Sequence, residues 1–322
     1  MTEPTVSDRR RTALLAAILL AGAVLRFVGM DWDNGTHLHP DERFLTMVQS
    51  AQDLPASFSA YLATDTSLLN PRNVGHTFFV YGTWPMTIVQ FVGAKLAVTL
   101  GQLPETESLA TWEPTGLLAA LPAPVAEAVH RVLAAGIAAV PRWLRGGTDY
   151  GTVYLVGRGV SAVMDLCAIV LLYLVGSRLY DRRVGLLAAA LAAFTAFHIQ
   201  QSHFFTVDTA TNAFVMLFFL GAVAMVHRHS FPAAVVAGVG MGFALASKIA
   251  VWPLAPLAVF ALAATTWPRR NERWAWWRFV ALVAVVGGVA FAALRVGQPD
   301  MFAGPGWNAA AADPVRLAEV TA

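Results

Sequence analysis

Apolar runs of roughly 20 residues recur along the chain, separated by short arginine clusters, and no other feature limits the fold so tightly. In the hydrocarbon core such a run is stable only as a helix that satisfies its own backbone groups. With 57% hydrophobic and 13% charged residues, the 322-residue chain also lacks the charge to clothe a water-soluble globule of its size. The expected fold class is all-α, a polytopic transmembrane helical bundle. The net charge of +2 comes from arginines grouped between the apolar runs, which marks topology and excludes a nucleic-acid-binding face. The single cysteine, Cys167, lies inside an apolar run, so neither a disulfide framework nor a Cys-based zinc site is available.

The runs predict spans at about residues 12–30, 152–176, 184–200, 209–227, 232–248, 250–267 and 278–296. Arg9-Arg10-Arg11 places the N-terminus in the cytoplasm, and the run after it reads as an uncleaved first span because no small-x-small site precedes Arg26. Four regions follow: residues 1–30, the cytoplasmic N-terminus and first span; 31–150, a long external loop; 151–297, a six-helix transmembrane region; and 298–322, an external tail. Within the loop, pieces at about 78–100 and 117–140 are moderately apolar. The linker between them carries Glu105, Glu107 and Glu113 but no basic residue, and the second piece contains Glu127, His130 and Arg131, so both are read as external helices lying along the membrane. A transmembrane hairpin is the alternative, and either arrangement returns the chain to the outside. The resulting protein is a multi-pass plasma-membrane protein bathed by membrane lipids.

This topology gathers polar residues on the extracytoplasmic face. The densest stretch is Asp31-Trp32-Asp33-Asn34-Gly35-Thr36-His37-Leu38-His39-Pro40-Asp41-Glu42-Arg43-Phe44. Pro40 suits the first turn of a helix capped by His39 or Thr36, and a helix N-terminus favours the negative charge of Asp41 and Glu42. Asp208 opens a later span, His203 precedes it, Lys248 ends an apolar run, and Arg295 closes the last one. Charges at such a boundary are costly unless paired or functional, although capping, snorkelling and interfacial anchoring each explain some of them. Arg158 and Asp165, seven residues apart, suit an internal ion pair on one helix face. Tyr81-Gly82-Thr83-Trp84-Pro85 reads as an interfacial aromatic turn. A divalent metal is the only cofactor the residues suggest, through His37, His39, Asp41 and Glu42, although their spacing matches no recognised zinc pattern.

Several of these pieces, taken in order, resemble family-39-type glycosyltransferases, relatives of the protein O-mannosyltransferases and aminoarabinose transferases. They are His39-Pro40-Asp41-Glu42, Gly157-Arg158, Leu172 to Tyr180 with Gly185 to Ala189, Gln201 to Asp208, and Ala244-Leu245-Ala246-Ser247-Lys248. The resemblance implies a GT-C membrane fold with membrane-parallel helices in the first external loop. It also implies transfer of a sugar from a polyprenyl-phosphate donor to a protein, lipid or glycan acceptor hydroxyl outside the cytoplasm. Asp41 maps onto the family's catalytic base, with Glu42 beside it, and Asp208 onto a second acidic residue. His39, Arg158, His203, Lys248 and Arg295 are the expected substrate-binding groups, the cations serving a phosphate leaving group in an inverting displacement. Relatives of this kind usually have more spans and often a C-terminal domain, so the chain is expected to be a fragment or a short form. The alternatives are a transporter or lipid-handling protein, which would need broken helices or charges near the bilayer midplane, and an inactive form of the same fold.

Overall fold

The computed structural model describes residues 6–99, 122–138 and 141–302. Among these the architecture is helical: α1 (Val6–Phe27), α2 (Pro40–Ser50), α3 (Phe58–Leu62), α4 (Trp84–Thr99), α5 (Ala123–Ala138), α6 (Val153–Leu179), α7 (Arg182–Phe194), α8 (Ala196–Ser202), α9 (Asp208–Arg228), α10 (Phe231–Ser247), α11 (Leu254–Thr266) and α12 (Arg273–Gly297). The acidic linker with Glu105, Glu107 and Glu113, and the tail beyond residue 302, lie outside the described residues.

Among the described residues four segments are long and apolar enough to cross a membrane: α6, α9, α12, and residues 249–269 around α11. The total is five if the bent pair α7 and α8 forms one span. The protein is therefore a multi-pass helical bundle, with three departures from the expected spans. α10 is apolar but only 17 residues long, and α1 carries arginines near both ends. The run at 184–200 is broken by a bend of 60° between α7 and α8. Thr195, extended at ψ 121°, marks the break, and its hydroxyl bonds back to the Leu191 carbonyl at 2.6 Å. A threonine bonded in this way competes with the helical ladder and bends it.

The break exposes carbonyls that α1 covers. Arg26 is fully buried and donates from Nη1 to the carbonyls of Gly22 and Ala193 and from Nη2 to that of Ala192, while its Nε meets Asp165 Oδ2 at 2.6 Å. His198 Nδ1 lies 3.3 Å from the other Asp165 oxygen. The expected Arg158–Asp165 pair does not form. Each residue takes a partner from another element, because a shared helix face fixes direction but not which neighbour supplies the countercharge.

The bundle is built by α9 packing on α10 and α6, α10 on α12, and α6 on α7. Small residues bring these backbones together: a Cβ on Gly240 would lie 2.3 Å from the Phe218 amide nitrogen, and one on Gly221 the same distance from that of Ala237. On one end of the bundle α2 and α4 pack against α6, closing a core of Leu45, Val48, Phe79, Met86, Val153 and Phe205. Gln49 and Gln90 join α2 to α4 through a side-chain hydrogen bond, and Gln90 Nε2 donates to the Gln52 carbonyl at 2.7 Å. Within the described residues the expected helices at about 78–100 and 117–140 correspond to α4 and α5, and there neither is among the segments long and apolar enough to span; residues 100, 117–121 and 139–140 lie outside the described residues.

Candidate active site

The site begins with α2. His39 caps it, its Nδ1 accepting from the Glu42 amide at 3.4 Å, and Pro40 occupies the first turn. Consecutive residues point about 100° apart around a helix, so Asp41 and Glu42 face different surroundings. Glu42 is fully buried and forms a two-pronged ion pair with Arg158, Oε1 to Nε and Oε2 to Nη2, both at 2.7 Å. Its Oε1 also accepts the Phe205 amide at 2.8 Å. Arg158 reaches Asp33 Oδ1 at 3.0 Å and donates to the Met30 carbonyl at 2.7 Å, with its guanidinium against the rings of Trp32 and Tyr154. Gly157 makes room for this arrangement, since a Cβ there would lie 2.3 Å from the Phe205 ring.

One arginine thus ties α6 to the loop after α1, to α2 and to the segment before α9. Burial pushes the Asp33 carboxyl up, but the Arg158 guanidinium outweighs it and holds the group below its ordinary value of 3.8. His37 is buried between the rings of Tyr150 and Tyr154, and that burial pushes its imidazole below the ordinary value of 6.5 despite the carboxylates of Glu42 and Asp33 nearby. Its neutral form is therefore the one the fold prefers. The associated stability is fully present above about pH 6.5 and is lost as the pH falls below it, because the unfolded chain takes up the proton first. Thermal unfolding measured from neutral to mildly acidic pH is expected to show this slope, flattened in His37→Phe.

The second half of the site is assembled by the turn at Tyr81. The Tyr81 hydroxyl lies close enough to the Asp41 carboxylate to feel it directly. Burial first, then the negative charge of Asp41 and of Asp208, push this phenol up to about 12. Asp41 and Asp208 thus act on one side chain. Asp208, in the first turn of α9, pairs with Lys248 at 2.8 Å, and both remain partly open, at 36% and 47% side-chain exposure. The adjacent Gly82 amide donates to the Ser247 carbonyl at 3.1 Å, Trp84 stacks on Phe243 at 4.5 Å, and Thr83 Oγ1 donates to Asp300 Oδ1 at 3.0 Å. The turn is therefore docked on the ends of α10 and α12, beside Lys248. Gly82 is required there, since a Cβ would lie 2.1 Å from the Ala246 carbonyl oxygen. Gly82→Ala is expected to displace the turn, costing about 1–3 kcal/mol of stability. Tyr81 would then move away from Asp41, an effect readable as a change in tyrosine fluorescence and thermal midpoint together.

The expected residues separate into two groups. Asp41, Asp208 and Lys248 share one partly open neighbourhood through Tyr81. Glu42 and Arg158 are buried against each other and offer a substrate no surface. His203 faces the Ile199 carbonyl with Nδ1 at 2.8 Å and the Val28 carbonyl with Nε2 at 3.0 Å, tying α8 to the end of α1. His39 caps α2 and packs its ring on Phe204 at 4.4 Å. Arg295 is buried, donating to the Leu62 carbonyl at 3.2 Å and lying over Phe302. The metal reading fails on geometry: His37 turns into the tyrosines, His39 caps the helix, and Glu42 is committed to Arg158. Among the described residues no three such side chains gather as a metal site. The sequence marks Tyr81 as an interfacial anchor, and only its three-dimensional setting brings it under the influence of both aspartates.

Residues 150–291 match the family model for dolichyl-phosphate-mannose-protein mannosyltransferase. This match supports a membrane glycosyltransferase of the GT-C type. It spans a little under half of the chain, from the start of α6 through most of α12, and takes in Arg158, His203, Asp208 and Lys248. The loop bearing Asp41 and Tyr81 lies before it. No curated protein and no solved structure matches the chain.

Proposed function

We propose that the chain transfers a sugar from a polyprenyl-phosphate donor to an acceptor hydroxyl, with inversion, on the extracytoplasmic side of the plasma membrane. The observation that carries this reading is the docking of the Tyr81-Gly82 turn on Ser247, beside the Lys248–Asp208 pair, with Tyr81 under the influence of both Asp41 and Asp208. Asp41 takes the acceptor proton as the hydroxyl attacks the anomeric carbon, and the lipid phosphate departs with the bonding electron pair. The leaving group is already anionic, so it needs a cation more than a proton, and Lys248 is open enough to turn from Asp208 toward it. Tyr81 holds the Asp41 carboxylate in place, and its high phenol pKa keeps the donor proton on oxygen throughout the physiological range. Glu42 and Arg158 act as positioning residues, fixing α2 so that Asp41 faces the site. The acceptor class is a protein, lipid or glycan hydroxyl.

Transfer from a labelled polyprenyl-phosphate sugar, measured with purified protein in detergent or lipid, is the direct test. Lys248→Gln is expected to raise the KM for the donor by about tenfold to a hundredfold with thermal stability little changed, since an exposed pair contributes little to folding. An unaltered donor KM would remove Lys248 from the phosphate role. The transporter alternative finds one of its required features in the break at Thr195, with Arg26 and Asp165 buried nearby. There, however, the freed carbonyls of Ala192 and Ala193 are already taken by Arg26 and are not left to coordinate cargo.

A further inference from the structure

α9 carries Asp208 at its first turn and Arg228 at its last, and 21 helical residues separate the two ends by about 30 Å. At the Arg228 end lies a cleft of about 600 Å³ whose lining includes His227, Arg228, Arg269, Trp274 and Arg278. Arg278 donates from Nε and Nη2 to the His229 carbonyl at 3.0 and 2.7 Å, and its guanidinium lies over Phe231, which holds that side chain against the end of α9. Arg269 lies over the Trp274 ring. Among the described residues no carboxylate forms an ion pair with Arg228, Arg269 or Arg278, and Glu272, the nearest acid in the chain, is exposed. Three guanidinium groups around one cavity without a countercharge repel one another, and an anion would relieve that repulsion.

A second cavity, of about 310 Å³, adjoins the first: Val226 and His227 line both. Its other walls are apolar, formed by Leu179, Phe218, Phe219, Ala222, Leu257 and Ala261. It follows α9 from Val226 to Phe218, about 12 Å along the helix. Phe218, Ala222 and Ala258 belong to a buried core cluster, so the groove floor is set by bundle packing and not by surface rotamers.

We propose that this cleft and groove together bind a phosphate-headed anionic membrane lipid, its phosphate held by Arg228, Arg269 and Arg278 and the first part of one acyl chain seated between α9 and α11. The chemistry of the two cavities matches the two halves of such a molecule, and a soluble anion would use only one of them. Trp274 lines the cleft from the first turn of α12, and indole rings favour a membrane–water interface. The site lies at the opposite end of α9 from Asp208, so it takes a lipid of the other leaflet from the one the glycosyltransferase reading assigns to the donor. It stands whether or not that reading holds.

The test is native mass spectrometry of the purified full chain titrated with phosphatidylglycerol, with phosphatidylcholine as the neutral-headgroup control. Wild type is expected to retain phosphatidylglycerol about tenfold more strongly. Arg228→Gln with Arg269→Gln should abolish that preference, and Ala261→Phe, which fills the groove without touching a charge, should weaken it by a similar factor. Equal retention of both lipids by wild type would overturn the proposal, and this outcome requires no variant to fold. Full displacement by millimolar inorganic phosphate, together with no effect of Ala261→Phe, would overturn it in favour of a free-anion site.

Discussion

Asp41→Asn is expected to lower sugar transfer by about a hundredfold to ten-thousandfold, the range a positioned general base contributes. Thermal stability should be nearly unchanged, because asparagine keeps the shape of the side chain and the residue is only partly buried. Donor KM should also hold, since the phosphate is assigned to Lys248. Tyr81→Phe should give a smaller loss, as it removes the group that orients the carboxylate and leaves the carboxylate itself. Asp208→Asn should act chiefly through Lys248, raising KM more than it lowers kcat. Unchanged kcat in Asp41→Asn, measured by single-turnover transfer from a labelled polyprenyl-phosphate sugar, would take Asp41 out of the base role.

Arg158→Ala is expected to produce the largest loss of stability of any single substitution in the loop region, about 3–5 kcal/mol, because it strands two carboxylates that have no access to water. Glu42 and Asp33 each lose their main partner, the Met30 carbonyl loses its donor, and the clamp on the segment before α9 opens. The double substitution Arg158→Met with Glu42→Leu should recover part of the thermal midpoint, because the Glu42 charge goes with the arginine and only Asp33 stays stranded. It should not recover activity, since nothing then fixes the rotation of α2. A double variant no more stable than Arg158→Ala would show that the stranded Glu42 charge is not what the single variant suffers from.

Much of this arrangement is legible in the residues, and where reading stops has a physical reason. His39-Pro40 announces the start of α2, so two carboxylates at a helix N-terminus could be anticipated. Which of them turns outward could not, because the choice is made by an arginine 116 positions away. Arg158 and Asp165 stand on one face of one helix, and spacing alone pairs them. The structure instead gives each a stronger partner from a different segment, Glu42 for one and Arg26 for the other. The hydropathy of residues 184–200 is that of a continuous span, and neither proline nor glycine marks the break at Thr195. The back-bonding threonine was the available signal, and it is weak, since many threonines in helices bond this way without breaking them. Tyr81 lies 40 positions from Asp41 in the chain, and its turn is placed by contacts with α10 and α12 that no local pattern encodes.

The burial of Arg26 against Ala192 and Ala193 bears on how the protein is made. The guanidinium belongs to α1, and the carbonyls it satisfies follow 166 and 167 residues later. Until then neither half can rest in hydrocarbon without a penalty: the arginine must reach back to the lipid surface, and the interrupted helix cannot settle while its open backbone has no donor. α1 is therefore expected to be held near the insertion machinery, shallow and unpaired, until α7 arrives and the two are released into the bilayer as a unit.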